Sequence, residues 1–231
     1  MHHRLQPAPG RPLRGFTLIE LLVAISIMAL MAVMGWRALA GMQQASTQTR
    51  NHSDAVLALE AGLAQWTTDL DAMTELPSTR AMDWDGRLLR ITRRAPADAS
   101  AGVIVVAWMQ RNVDGTPQWV RWQSAPGTSR QSWLAAWQAA ALWAQRPGEA
   151  TGIPEAVIAP LAQWQLYYSR GGAWSNPLSS SGAQPQPGAA SAPGADAVPD
   201  GVRLVLTIPS PHPLAGTLTR DWARASGAPA P

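Results

Sequence analysis

The chain has 231 residues with a formal net charge of +3, and its 18 basic residues are all arginine, with no lysine and no cysteine. The lack of lysine excludes chemistry that needs a lysine amine, such as a P-loop phosphate grip or a Schiff base. The lack of cysteine fits a reducing or an oxidising compartment equally. Arg4, Arg11 and Arg14 lie in the first 15 residues, so beyond them 15 arginines face 15 acidic residues and the remainder is neutral. That balance argues against nucleic acid as a partner. A chain of this length can supply a membrane helix and one globular domain with a sizeable core, but hardly two large ones.

Residues 1–15 are basic, with proline and glycine and no apolar periodicity, and read as a leader outside any fold. From Phe16 to about Gly35 the chain is apolar apart from Glu20. Twenty residues at about 1.5 Å each give about 30 Å of helix, enough to cross a bilayer. An acidic side chain there costs on the order of 2.5–3.5 kcal/mol, so Glu20 reads as functional. In a chain that starts at Phe16, Glu20 lies about one turn from the amino group, where it can pair with the amine of a neighbouring chain.

No proline follows until Pro77, and the helix is expected to run over residues 16–76, its first part, 16–36, in the membrane. Gln43 to Ser53 is polar nearly all round. Val56, Leu59, Leu63, Trp66, Leu70 and Met73 then form an apolar stripe suited to packing on a sheet. Residues 77–231 read as a β-rich domain. Strands are expected over Leu88–Arg93, Val103–Trp108, Trp119–Trp122, Leu161–Tyr168, Val202–Ile208 and Gly216–Trp222, with a hairpin turn at Asp114-Gly115. Ser132 to Gln145 has helical spacing. Residues 175–200, rich in Ser, Gly, Ala, Pro and Gln, are expected to be a mobile loop, and a frayed tail closes the chain. The fold class expected is α+β.

Candidate chemistry is sparse. His2, His3, His52 and His212 have no metal spacing. Asp83-Trp84-Asp85-Gly86 resembles the start of a calcium loop, but Arg94 stands at the twelfth position, where a bidentate acid is needed. Asp69 and Asp71 are two apart on a helix, point in different directions, and read as solvated charges. Twelve tryptophans stand against two tyrosines and one phenylalanine. Their strand and helix spacing favours core and interface packing over stacking on nucleobases or sugars. No catalytic group, cofactor site or metal site emerges.

Gly15-Phe16-Thr17-Leu18-Ile19-Glu20, behind a basic leader and ahead of a long apolar run, resembles the processing motif of type IV prepilins and type II secretion pseudopilins. The resemblance implies cleavage between Gly15 and Phe16 by a prepilin peptidase, N-methylation of Phe16, and Glu20 as the carboxylate that pairs subunits. It implies a pilin-like fold, a single pass through the bacterial inner membrane and a periplasmic domain. The segments Met34–Met42 and Trp164–Tyr168, Trp174, Val202–Leu206 and Leu218–Arg220 look like the J-type minor pseudopilins of the general secretion pathway. The implied partners are the I- and K-type minor pseudopilins and the major pseudopilin, in a hetero-oligomeric tip complex that initiates the filament for export of folded proteins. A minor pilin of a type IV pilus or DNA-uptake filament remains an alternative. So does a periplasmic binding protein or enzyme whose signal peptide is cut at Ala38-Leu39-Ala40.

Overall fold

The computed structural model describes residues 15–96, 102–145, 155–178 and 198–224. The leader and the C-terminal tail, apart from Gly15 and Arg224, lie outside the described residues, as does most of the loop expected over 175–200. The chain divides into two compact units, Met1–Asn51 and His52–Pro231. Helix α1 (Leu18–Asp71) belongs to both, so the second unit begins within the helix and not at residue 77.

α1 ends at Asp71, before the expected boundary at residue 76. The edge of a strand claims the backbone that would have continued it. The Thr74 N–H donates to the Thr92 carbonyl at 3.0 Å and the Arg94 N–H to the Ala72 carbonyl at 3.0 Å. Pro77 therefore falls in a turn already outside the helix.

Two antiparallel sheets follow, which keeps the α+β class but divides the strands. The first has β1 (Met82–Trp84), β2 (Leu88–Arg94), β3 (Val103–Val113), β4 (Thr116–Gln123) and β5 (Ala156–Pro160) in chain order, with α2 (Arg130–Gln145) between β4 and β5. The second has β6 (Gln163–Arg170), β7 (Ala173–Ser175), β8 (Gly201–Ile208) and β9 (Gly216–Ala223) in the order β7-β6-β8-β9. Asp114 and Gly115 turn β3 into β4 with φ of 50° and 80°, the left-handed pair a two-residue hairpin requires. β5 lies in a stretch where the sequence suggested no strand.

β2 is buried on both faces. Leu88, Leu89, Ile91, Thr92 and Arg93 are all buried, because the five-stranded sheet is covered on both faces. Trp66 of α1 meets Trp108 and Trp119 on one face, at ring separations of 5.5 and 6.0 Å. On the other face α2 stacks Trp143 on Trp122 and donates from the Trp133 indole to the Thr92 hydroxyl at 2.9 Å. Ser129 and Ser132 start α2 by accepting each other's N–H at 3.1 Å, a capping box that places its first turn at Arg130 and not at Ser132. The four-stranded sheet alternates cleanly, burying Trp164, Leu166 and Tyr168 with Val202, Leu204 and Leu206. Trp164 reaches Trp66 at 6.5 Å, which joins both sheets to the helix.

Asp69 is not the solvated charge expected, whereas Asp71 stays exposed. Asp69 is fully buried. It accepts from Arg93 at 2.5 Å, from the Trp108 indole at 2.8 Å, and from Nε and Nη2 of Arg121 at 2.8 and 2.9 Å. Asp71 accepts from the Trp222 indole at 2.7 Å. Gly62 also serves packing, since a Cβ there would stand 2.2 Å from Cγ2 of Ile158 on β5. Asp69→Ala strands two buried guanidiniums and is expected to lower stability by about 3–5 kcal/mol in urea titrations of the full chain in mild detergent.

Burial raises the Tyr168 phenol well above its usual range, helped by the Asp83 carboxylate and partly offset by Arg170. Its hydroxyl has no hydrogen-bond partner among the described residues. A raised acid leaves stability intact below the unfolded value near pH 10 and weakens it above, because the unfolded chain then releases the proton first. The urea midpoint should fall more steeply above about pH 10 in the natural chain than in Tyr168→Phe, whose curve should lack that component.

Candidate functional site

The sequence motif folds into a defined helix start. Thr17 is the N-cap of α1 and Glu20 occupies the third helical position. The Thr17 N–H and hydroxyl donate to Oε2 of Glu20 at 3.0 and 2.9 Å, and the Glu20 N–H donates back to the Thr17 hydroxyl at 3.4 Å. This is a capping box, which satisfies helix-start donors that would otherwise lack a partner. The Thr-x-x-Glu spacing could have revealed it from sequence. Glu20 is also the one acidic residue in the first turn, where the helix dipole favours negative charge.

Phe16 is 87% exposed, directly beside Gly15 and ahead of the cap. Leu18, Ile19, Leu21, Leu22 and Val23 continue as exposed apolar side chains, and the exposure persists through Met42. α1 is long and apolar enough to cross a membrane, and none of its most apolar window is buried within the chain. Ser26 returns its hydroxyl to the Leu22 carbonyl at 2.8 Å, so its polar atom is satisfied within the helix. Ala38, Leu39 and Ala40 lie inside the same helix.

The other candidates resolve as structure. Asp83 pairs with Arg80 at 3.1 Å and with Arg90, while Asp85 accepts the N–H groups of Arg87 and Leu88, so this stretch is a hairpin. Among the described residues no group of three or more His, Cys, Asp or Glu is placed to hold a metal ion. Trp119 and Trp122, considered for base or sugar stacking, are 0% and 1% exposed and have no free ring face.

The geometry at Gly15 to Glu20 coincides with a family signature. Residues 11–36 match the family described as the prokaryotic N-terminal methylation motif. The chain carries a prokaryotic N-terminal methylation motif. This motif and the apolar start of α1 together point to membrane anchoring through the N-terminus. None of the curated proteins matches the chain. Among solved structures, the GspK-GspI-GspJ complex from the type 2 secretion system of enterotoxigenic Escherichia coli includes a chain that is similar at 15% identity. The overlap covers 75% of this chain and 99% of that one at a TM-score of 0.45, too shallow to assign contacts or partners.

Within the methylation motif, Thr17→Val would remove the hydroxyl bonds and leave the first helical amides weakly capped. Hydrogen exchange at the Glu20 amide in detergent micelles should speed up by about fivefold, while exchange beyond the second turn stays unchanged.

Proposed function

We propose that this chain is a minor pseudopilin of a type II secretion system, of the J type. It is cut between Gly15 and Phe16 by a prepilin peptidase and N-methylated at Phe16. Residues 16–36 hold it in the inner membrane, and the residues beyond them form the periplasmic part. Its role is to join the I- and K-type minor pseudopilins in the complex that starts the filament, on which the major pseudopilin builds. The reading involves no catalysis and no cofactor.

The observation that carries the proposal is the methylation motif over residues 11–36, joined to an exposed apolar helix that retains one carboxylate, Glu20. An intramembrane carboxylate is expensive unless a partner neutralises it. Among the described residues only Thr17 hydrogen-bonds Glu20, through neutral groups. A new amino group on a neighbouring Phe16 supplies the missing cation and would set the axial offset between subunits.

Intact mass and N-terminal sequence of the protein from cells with and without a prepilin peptidase test the processing step. The expected product starts at methylated Phe16 and requires the peptidase. A chain starting at Gly41 regardless of the peptidase would instead indicate a signal peptide. Glu20→Ala is expected to leave cleavage largely intact and to reduce recovery of partner subunits and secretion together. Normal recovery and secretion would count against the assembly role. A deletion strain that loses twitching or DNA uptake but keeps secretion would move the chain to a type IV filament.

A further inference from the structure

A groove of about 450 Å³ lies beside the start of α2, within the unit beginning at His52 and apart from the methylation motif. Val103 and Trp133 contribute its apolar floor, and Leu76 and Pro77 stand in its wall. Leu76 keeps 40% of its surface exposed. It sits on a turn closed by the Thr79 N–H donating to the Leu76 carbonyl at 3.1 Å, with Ser78 at φ 62°. That left-handed conformation is disfavoured for residues other than glycine.

The walls are fixed before anything binds. Val103 and Gly127 exchange paired backbone bonds of 2.9 Å on one side. On the other, Thr74 is tied to Thr92 at 3.0 Å. Beneath them the Trp133 indole donates to the Thr92 hydroxyl, which itself donates to the Arg80 carbonyl at 2.6 Å. A preformed groove loses little ordering entropy on binding.

Among the described residues its charge is one-sided: the lining includes Arg94 and Arg130 and no carboxylate. Both arginines are exposed, and among the described residues neither side chain makes a hydrogen bond or ion pair. Elsewhere in this unit Arg80, Arg90, Arg93, Arg121 and Arg203 are each paired with an aspartate.

We infer that this groove binds an extended acidic segment of a partner protein that also carries an apolar side chain. The carboxylates pair with Arg94 and Arg130, and the apolar side chain lies against Leu76, Pro77 and Trp133. The inference does not depend on the pseudopilin reading.

The test is fluorescence polarisation of the full chain in mild non-ionic detergent with a labelled Asp-Glu-Leu-Asp-Glu peptide. Its Asn-Gln-Leu-Asn-Gln and Asp-Glu-Ser-Asp-Glu counterparts are measured beside it. The acidic leucine peptide is expected to bind, and to weaken by about tenfold with Arg94→Gln or Arg130→Gln. Both positions are exposed, so the variants should keep the natural circular dichroism. Leu76→Ser should weaken the leucine peptide and leave the serine peptide unchanged. Equal binding of the neutral peptide would overturn the inference, as would acidic binding indifferent to both arginine variants. Equal binding of the serine peptide would also overturn it, by leaving a simple anion site that inorganic phosphate should fill.

Discussion

The arrangement of the second unit depends on one carboxylate. Asp69 sits in the last turn of α1, fully buried, and accepts five hydrogen bonds from Gln65, Arg93, Trp108 and Arg121. Arg93, Trp108 and Arg121 belong to β2, β3 and β4, so a single side chain aligns the helix with three strands. Apolar contact alone is non-directional and would tolerate a helix that slides or rotates over the sheet. A buried charge with fixed donors does not, because any shift strands charged groups away from water. The two guanidiniums exceed the one carboxylate in charge, and neutral acceptors take the surplus donors. Arg93 donates to the Arg94 carbonyl at 3.3 Å and Arg121 to the Gln123 side chain at 2.9 Å.

Around that cluster the core is built from tryptophan. Trp66 touches three other indoles, Trp108, Trp119 and Trp164, and so bridges both sheets. Large rings bury much area per residue, which suits a sheet that must fill space on both faces. They also bring an N–H that needs a partner. Trp108, Trp133, Trp143 and Trp222 place theirs on Asp69, Thr92, Glu155 and Asp71. Trp66, Trp119 and Trp122 have no such acceptor among the described residues, so each gives back part of what its burial contributes. The helix-to-sheet junction therefore combines an extensive apolar contact with one closely specified polar lock.

The N-terminal unit follows a different rule. There the hydroxyls of Thr17 and Ser26 and Oε2 of Glu20 find partners within one helix turn or two, and the apolar side chains face outward. Such a helix is complete as backbone and incomplete as surface, as expected of a segment whose solvent is lipid or other helices. The box gives Oε2 of Glu20 local donors but leaves its charge without a cation among the described residues. The methylation motif and the capping box are thus one feature seen from two sides.

Much of this was legible because it depended on local order. The apolar run with Glu20, the stripe from Leu59 to Leu70, the Asp114-Gly115 hairpin and the alternation of β8 all follow from period or turn chemistry along a few residues. What remained hidden depended on residues distant in the chain. Asp69 and Asp71 look alike on a helix, yet Arg93 and Arg121 meet only the first, and nothing within a turn of Asp69 announces them. The early end of α1 is set by pairing with β2 more than twenty residues later, and β5 exists because β4 offers it an edge. The basic groove brings Leu76, Arg94 and Arg130 together from three separate segments. Sequence alone determined the membrane-length helix and the α+β class, because period and composition act locally. Tertiary structure decided which charges are buried, how the strands divide into two sheets and where an unpaired surface lies, because burial and pairing depend on neighbours that only folding supplies.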